Sequence, residues 1–418
     1  MKKKTRTTPS PSSKTFCVLP WINLEVKTDG RMAACCINRE ALKDKSGKPF
    51  HLSRNSMQDA FQSEDIKKLR TDLLAGVPSP NCETCWINEK HKGFSRRMKY
   101  NLLFKKEAKA IQKSQSVEGI AQPMILDLKV SRLCNLKCRI CGPMSSSLWA
   151  KETSGDEGLT EDLQALYAEF KGDQKKIFDW QTPQFWSSVQ EMLPGLKRLE
   201  FYGGESFLIQ ENFAILKKAV ETKVASSLDV QCSTNGTHFP EKVFQDIFPH
   251  FKSVHLYVSI DGFEKQFEYQ RHPAKWDQVF GNFMKMKEIS EKQSNLTVST
   301  AVTLSALNIF YLPEMIQFWR SKGIEPSFGC VHMPEYFSLD IFPEKIRKPL
   351  AQKILSAASF QSGDPLSIIV LRFIDQINQG KQADLWPQFR EVLEKEDRRR
   401  KEKFADVFPE YAALMKGL

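Results

Sequence analysis

The sequence predicts an α/β protein with a parallel sheet and a chemistry built on cysteine. Two observations carry that expectation. Residues 121–335 alternate short strand-like runs with helix-period runs, the pattern of parallel strands joined by helical crossovers. Eight of the ten cysteines lie before residue 142, in two separate groups.

Six strands are expected, at Ile125–Ser131, Arg198–Tyr202, Leu228–Ser233, Ser253–Ile260, Leu296–Thr303 and Glu325–Val331. Helix-like runs fall between them at Asn212–Val224, Glu241–Phe251, Trp276–Glu291 and Leu312–Ser321. Pro143 to Gly195 reads as an insertion after the first strand. Residues 1–15 read as a disordered basic tail and not as a signal peptide, because no apolar stretch of adequate length follows. Residues 16–120 form a cysteine-bearing module. It includes a helix at Ser63–Leu74, with Ser63 as N-cap and Asp65 in the first turn. Residues 336–418 carry helical period and few strand signals. No internal repeat is found.

No apolar run approaches the roughly 20 residues of a membrane helix, so no membrane partner is expected. A cytoplasmic location is expected from the absence of an export signal. Net charge is +11, but Lys2, Lys3, Lys4, Arg6 and Lys14 precede any acid. The run Arg398 to Lys401 is interleaved with Glu391, Glu394, Glu396, Asp397 and Glu402, the pattern of a solvated helix face. Nucleic acid is not an expected partner.

A disulfide-built fold is short and secreted, and this chain is long, so its close-spaced cysteines point to metal. The sharper group is Cys134-Asn-Leu-Lys-Cys138-Arg-Ile-Cys141-Gly. It follows the first strand and is stopped by Gly142-Pro143. Three thiolates without a nearby fourth suit an iron–sulfur cubane with one open iron better than structural zinc, which takes four protein ligands. The second group begins at Phe16-Cys17. A strand-like Ile22 to Lys27, the turn Thr28-Asp29-Gly30 and then Cys35-Cys36 follow, an Asp-Gly hairpin signal. Asn81-Cys82-Glu-Thr-Cys85 adds a CxxC. Cys232 and Cys330, alone in strand-like runs, read as buried small hydrophobes.

The CxxxCxxC loop after a strand resembles the signature of the radical S-adenosylmethionine superfamily. Three further segments resemble the family's landmarks in its order: Gly203-Gly204-Glu205, Thr234-Asn235-Gly236 and Ser259-Ile-Asp261-Gly262. Two positions depart from the pattern. Ile140 stands where an aromatic residue is frequent, and Ser206 stands where Pro usually follows. The family has a partial barrel, so the resemblance implies a six-stranded partial (β/α) TIM-like barrel with chemistry at the C-terminal strand ends, where every motif falls. The N-terminal group resembles the Twitch domain, the shorter relative of SPASM, placed here before the barrel. A four-cysteine zinc ribbon is the alternative reading of that group.

The resemblance implies a radical S-adenosylmethionine enzyme. It would reductively cleave that cofactor to a 5′-deoxyadenosyl radical and abstract a substrate hydrogen. The implied cofactors are a 4Fe-4S cluster on Cys134, Cys138 and Cys141, a second auxiliary 4Fe-4S cluster on Cys17, Cys35, Cys82 and Cys85, and S-adenosyl-L-methionine. The Gly30-to-Cys35 spacing matches the family's GxxxxC and favours Cys35 over Cys36. Gly203, Gly204, Glu205, Asn235, Ser259 and Arg271 are the implied cofactor-binding residues, with Asn308 as a further candidate. An external low-potential electron donor is implied. The expected substrate is a peptide or protein. The alternatives are a small molecule or nucleotide substrate, or a zinc-stabilised binding protein without catalysis.

Strand alternation adds Asp127 and Lys129 as candidate catalytic residues. With Ser131 they share one face of the first strand, while His255, Tyr257 and Ser259 share one face of the fourth. Outer faces must pack on helices, so these polar faces are expected to line the lumen. A buried Asp127–Lys129 charge pair is the plainer alternative.

Overall fold

The computed structural model describes residues 14–90, 93–152, 177–178, 180–357 and 364–416. The expected tail at 1–13 and the middle of the 143–195 insertion lie outside the described residues. The chain divides into two compact units, Met1–Asp127 and Leu128–Leu418.

The first unit holds an antiparallel pair, β1 (Asn23–Val26) and β2 (Met32–Ala33), with Glu25 opposite Ala33 and Val26 opposite Met32. The Asp-Gly turn that joins them works as its sequence requires. Gly30 takes φ +79°, and Asp29 accepts the Arg31 backbone N–H at 3.1 Å and its Nε at 2.9 Å. Helix α1 (Glu64–Ala75) starts at Ser63, whose side chain accepts the Ile66 N–H, and ends at Gly76 in the left-handed region. Then come α2 (Glu83–Lys90), α3 (Arg96–Leu103) and α4 (Lys105–Ser114). A small core of Phe16, Val18, Trp21, Ile22, Leu73 and Tyr100 holds them. Arg70 is buried among them and donates to the carbonyls of Pro20, Val117 and Phe61 at 3.0–3.1 Å. Three separate segments are thereby tied to one side chain.

β3 (Ile125–Leu128) carries the chain from the first unit to the second. It ends three residues before the expected limit. Within the second unit, α5 (Ser147–Glu152) and α6 (Pro183–Met192) precede β4 (Arg198–Phe201). Next are α7 (Gln210–Glu221), β5 (Asp229–Thr234), α8 (Glu241–Asp246) and β6 (Ser253–Ser259). They are followed by α9 (Glu264–Gln270), α10 (Trp276–Lys292), β7 (Leu296–Leu304), α11 (Leu312–Ser321) and β8 (Ser327–Cys330). β4 to β8 are parallel throughout, each paired with the next. One row of the register runs Glu200, Gln231, His255, Thr297.

Eight strands stand among the described residues where six were expected. The two extra are β1 and β2, the hairpin that sequence patterning assigned to the cysteine module alone. The remaining region is helical: α12 (Glu344–Ala357), α13 (Pro365–Gln379), α14 (Trp386–Arg400), α15 (Phe404–Val407) and α16 (Pro409–Lys416). These pack on β7 and α11 through one apolar cluster that includes Leu304, Met315, Phe337, Phe373, Trp386, Phe389 and Tyr411. No helix among the described residues is long and apolar enough to cross a membrane.

β6 shows how the sheet chooses its faces. Val254, Leu256 and Val258 are wholly buried, while Ser253, His255, Tyr257 and Ser259 keep partial exposure. The period-2 pattern therefore fixes the register, since a one-residue slip would put imidazole and phenol into the dry face. Leu256→Ala is expected to lower unfolding stability by about 2–5 kcal/mol. Thr297→Ala, on the exposed end of β7, is expected to change it by no more than about 0.5 kcal/mol. Urea denaturation of the two apoproteins checks the contrast.

Candidate functional site

The second unit places its sequence motifs on adjoining strand ends. After β3 the backbone leaves the sheet and runs flat against the Gly203-Gly204-Glu205 turn that follows β4. The Gly204 N–H donates to the Ser131 carbonyl at 3.0 Å and the Glu205 N–H to the Leu133 carbonyl at 2.7 Å. Both glycines are needed for this approach. Gly203 has φ +104°, and a Cβ there would stand 2.9 Å from the Ser131 carbonyl. A Cβ on Gly204 would overlap the Leu133 carbonyl outright.

That contact positions the cysteine loop. Cys138 is buried, and Cys134 and Cys141 are partly so. The Cys138 and Cys141 thiols hydrogen-bond each other, which holds Cys138 below its usual range and raises Cys141. Burial pushes Cys134 up to about 11, and the neighbouring Cys138 charge adds to the rise. The three thiols thus sense one another electrostatically.

Glu205 is the knot between strand ends. It is fully buried and accepts from the Phe207 N–H at 3.0 Å, the Thr234 hydroxyl at 2.6 Å and the Asn235 N–H at 2.6 Å. Burial raises its pKa, against those three donors. The Asn235 amide donates to Asn135 Oδ1 at 2.9 Å and lies 3.9 Å from Cys134 Sγ. Asn135 in turn donates to the Thr237 hydroxyl at 2.9 Å.

Arg271 is held in a buried ion pair, with Nη2 2.7 Å from Asp261 Oδ2 and Nη1 3.9 Å from Cys138 Sγ. Its Nε has no hydrogen-bond partner among the described residues. Asp261 is fixed from the other side by the Thr303 N–H at 2.7 Å, and its carbonyl accepts from Gln270 at 2.9 Å and Asn308 at 3.1 Å. Breaking a buried pair of this kind costs about 3–5 kcal/mol. Asn308 therefore acts on the backbone at Asp261. Ser259 closes β6 on the same rim, half-buried.

Asp127 is fully buried in the first unit, with Arg96 Nη2 at 3.1 Å. Lys129 is half-buried in the second. His255 and Tyr257 stack at 5.8 Å on the polar face of β6. Beside them a hydrogen-bonded chain joins β4 to β5. Arg198 donates to Glu200 and to Gln231, both at 2.5 Å, and Tyr202 donates to Glu200 at 3.0 Å. The charges of Arg198 and Glu200 both act on Tyr257, whose pKa burial raises.

In the first unit Cys17, Cys35, Cys82 and Cys85 form a mutual set. Burial raises Cys17 well above its usual value, and the charges of Cys35, Cys82 and Cys85 each raise it further. Burial likewise pushes Cys35 up to about 12 and Cys82 to about 11. Arg96 opposes the rise at Cys35, and Arg97 opposes it at Cys82 and Cys85. Three of these thiols are buried and Cys82 is half-buried, and a metal group binds thiols deprotonated. Cys35 and Cys36 lie in a turn beyond β2, closed by the Asn38 N–H on the Cys35 carbonyl at 3.0 Å. Turn geometry thus sets Cys35 inward; strand alternation does not reach it. Among the described residues no group of three or more His, Cys, Asp or Glu is gathered as for a metal ion.

Sequence reasoning missed the cationic partners, Arg96 and Arg97. It also missed Thr234 and Asn135, which hold Glu205 and Asn235. No spacing signal marks the arginines; Thr234 and Asn135 lie inside motifs whose signal comes from their neighbours.

Residues 17–86 match the SPASM family, described as an iron–sulfur cluster-binding domain. The matched stretch contains all five cysteines of the first unit, Cys17, Cys35, Cys36, Cys82 and Cys85. Among curated proteins, none matches the chain. The solved structures similar to it include a histidine-tagged anSMEcpe with bound AdoMet, at 16% identity and TM-score 0.38 over 58% of this chain and 59% of that one. They also include Streptococcus suis SuiB bound to precursor peptide SuiA, at 11% identity and TM-score 0.37 over 70% of this chain and 63% of that one. The chain thus spans less than two thirds of the length of each.

The loop geometry generates two expectations. Gly204→Ala is expected to destabilise the apoprotein by about 1–3 kcal/mol through forced backbone shifts and to cut iron uptake at Cys134, Cys138 and Cys141; denaturation midpoints and iron assays read both. Cys36→Ser is expected to keep the first-unit cluster and Cys35→Ser to lose it, measured by iron content and electron paramagnetic resonance.

Proposed function

We propose that the chain is a radical S-adenosylmethionine enzyme with an N-terminal auxiliary iron–sulfur domain, acting on a peptide or protein. One observation carries the reading: the loop of Cys134, Cys138 and Cys141 lies against Gly203–Glu205, Asn235 and the Asp261–Arg271 pair at adjoining strand ends. Cys134, Cys138 and Cys141 would hold the catalytic 4Fe-4S cluster. When bound, that cluster and S-adenosylmethionine supply a low-potential electron and, from the cleaved sulfonium, the hydrogen-abstracting radical.

The chain's own residues bind and orient. The Gly203 and Gly204 backbone is assigned to the methionyl ammonium, since glycine permits close approach. Glu205 locks that turn to β5. Arg271 supplies positive charge beside Cys138 and, through its unpartnered Nε, a donor toward the methionyl carboxylate. Asn235 and Ser259 are assigned to the nucleoside side of the site. Lys129, His255 and Tyr257 are assigned to substrate; Asp127 is engaged by Arg96 within the first unit.

The four-thiol set of the first unit would hold the auxiliary cluster. Four thiolates leave no open iron, so electron transfer to or from a substrate radical is its assigned role, with an external low-potential donor. The SPASM match and the auxiliary-cluster resemblance support a peptide or protein substrate over a small molecule or nucleotide.

The two sites are expected to be separable. Replacing Cys134, Cys138 and Cys141 with Ala should leave about four irons per chain and abolish S-adenosylmethionine cleavage. Replacing Cys17, Cys35, Cys82 and Cys85 should also leave about four irons. Zinc without iron in the anaerobically reconstituted protein would overturn both assignments.

A further inference from the structure

The turn between Cys138 and Cys141 sends Arg139 away from the thiols and into the C-terminal helices. Its side chain is 1% exposed, with Nη2 2.7 Å from Asp397 Oδ1 and 2.6 Å from Glu402 Oε2. Its Nε donates to the Tyr269 carbonyl at 3.1 Å, and the guanidinium lies 3.6 Å from the centre of the Tyr269 ring. The two carboxylates are themselves fixed. The Tyr269 hydroxyl donates to Asp397 Oδ1 at 2.7 Å, and the Phe404 N–H donates to Asp397 Oδ2 at 2.7 Å. His272 Nδ1 lies 2.8 Å from Glu402 Oε1.

A second tether runs from the same loop to the same helix. Lys137 pairs with Glu152, and Glu152 Oε2 lies 3.2 Å from Arg400 Nη2. Arg400 sits 4.9 Å over the Trp149 ring, and Trp149 Nε1 donates to the Cys138 carbonyl at 2.8 Å. The backbone is pinned between the tethers, with the Lys137 N–H on the His272 carbonyl and the Arg139 N–H on the Gln270 carbonyl, both at 2.8 Å.

Packing alone does not call for this arrangement. α14 to α16 are already anchored by Trp386, Phe389, Leu393, Phe404, Phe408 and Tyr411 in the apolar cluster. Burying an arginine and two carboxylates adds a desolvation cost that a plain apolar contact would avoid. The geometry points to Arg139 as a positioning residue through which α14 and the turn after it set the reduction potential and water access of the cluster at Cys134, Cys138 and Cys141. The inference rests on the cluster assignment above.

The physical route is direct. An iron–sulfur potential follows net charge, hydrogen bonds to sulfur and solvent exposure. Asp397 and Glu402 stand one residue's side chain away from the cysteine loop and disfavour the more negative reduced cluster. The tether also holds the loop geometry that directs the Leu136 N–H at Cys134 Sγ, at 3.4 Å. Neutralising both carboxylates removes negative charge and frees the loop to admit water, and both effects ease reduction.

The test uses the full chain, reconstituted anaerobically with iron and sulfide, as wild type and as Asp397→Asn/Glu402→Gln. The cluster at Cys134, Cys138 and Cys141 is identified as the paramagnetic signal that changes on adding S-adenosylmethionine. Its midpoint potential is expected to rise in the variant, and its bleaching rate in air to rise at least about threefold. Iron content should be unchanged and the other signal unmoved. Arg139→Lys, which keeps the charge but loses the fork, should fall between the two. Asp397→Asn alone and Arg139→Lys give the same comparison if the double variant does not fold. Unchanged potential and air sensitivity, with only a lower melting temperature, would make the tether structural and overturn the inference. Iron-free wild-type protein would instead overturn the cluster assignment on which it rests.

Discussion

Gathering acidic sulfurs in a dry place is the constraint on which both sites depend. A buried thiol resists ionisation, and a neighbouring thiolate makes it resist more. Cys17, Cys35 and Cys82 all show this, raised by burial and further by neighbouring cysteines. Each set is answered by arginine. Arg96 and Arg97 oppose the rise in the first unit, and Arg271 stands beside Cys138 in the second. Arginine suits the task because burial does not deprotonate it and its fork can serve a carboxylate and a sulfur together. Arg271 does this with Asp261 and Cys138. The acid in each case then has a defined purpose: Asp261 keeps Arg271 in place, as Asp127 engages Arg96.

What is legible in the sequence follows from the range of each interaction. The cysteine loop, the glycine turns and the Asp-Gly hairpin are local, so spacing reveals them. Helix Glu64–Ala75 matches its expected span to within a residue because its Ser63 cap and Gly76 stop are adjacent in sequence. β4 to β7 match theirs nearly to their limits, from alternation alone. β3 is shorter than its pattern. Val130 continues the apolar run, but the carbonyls of Ser131 and Leu133 are taken by the glycine turn 73 and 72 residues on, and the ladder ends there.

The illegible parts are side chains whose partners lie far away. Arg139 and Asp397 are 258 residues apart. The charged run at 396–402 reads as a solvated face because its signs alternate, and the structure corrects that reading. Arg400 and Glu396 are buried and paired 3.0 Å apart, and Asp397 and Glu402 turn to Arg139. Glu391, Glu394, Arg398 and Lys401 are exposed as the pattern implies. A one-dimensional charge pattern cannot distinguish a helix face bathed in water from one that meets a complementary loop.

The same limit explains the polar strand face. Alternation correctly separates Val254, Leu256 and Val258 from His255 and Tyr257, because the pleat is a local property. It cannot say which polar groups are spoken for. In the structure Glu200 is satisfied by Arg198 and Tyr202, Gln231 by Arg198, and Asp127 is engaged by Arg96. A bonded row such as that of Arg198, Glu200, Tyr202 and Gln231 is rigid, and moving any member would strand a buried charge. The groups that keep partial exposure are His255, Tyr257 and Ser259 on β6 and Lys129 after β3, and they are the ones we propose for recognition.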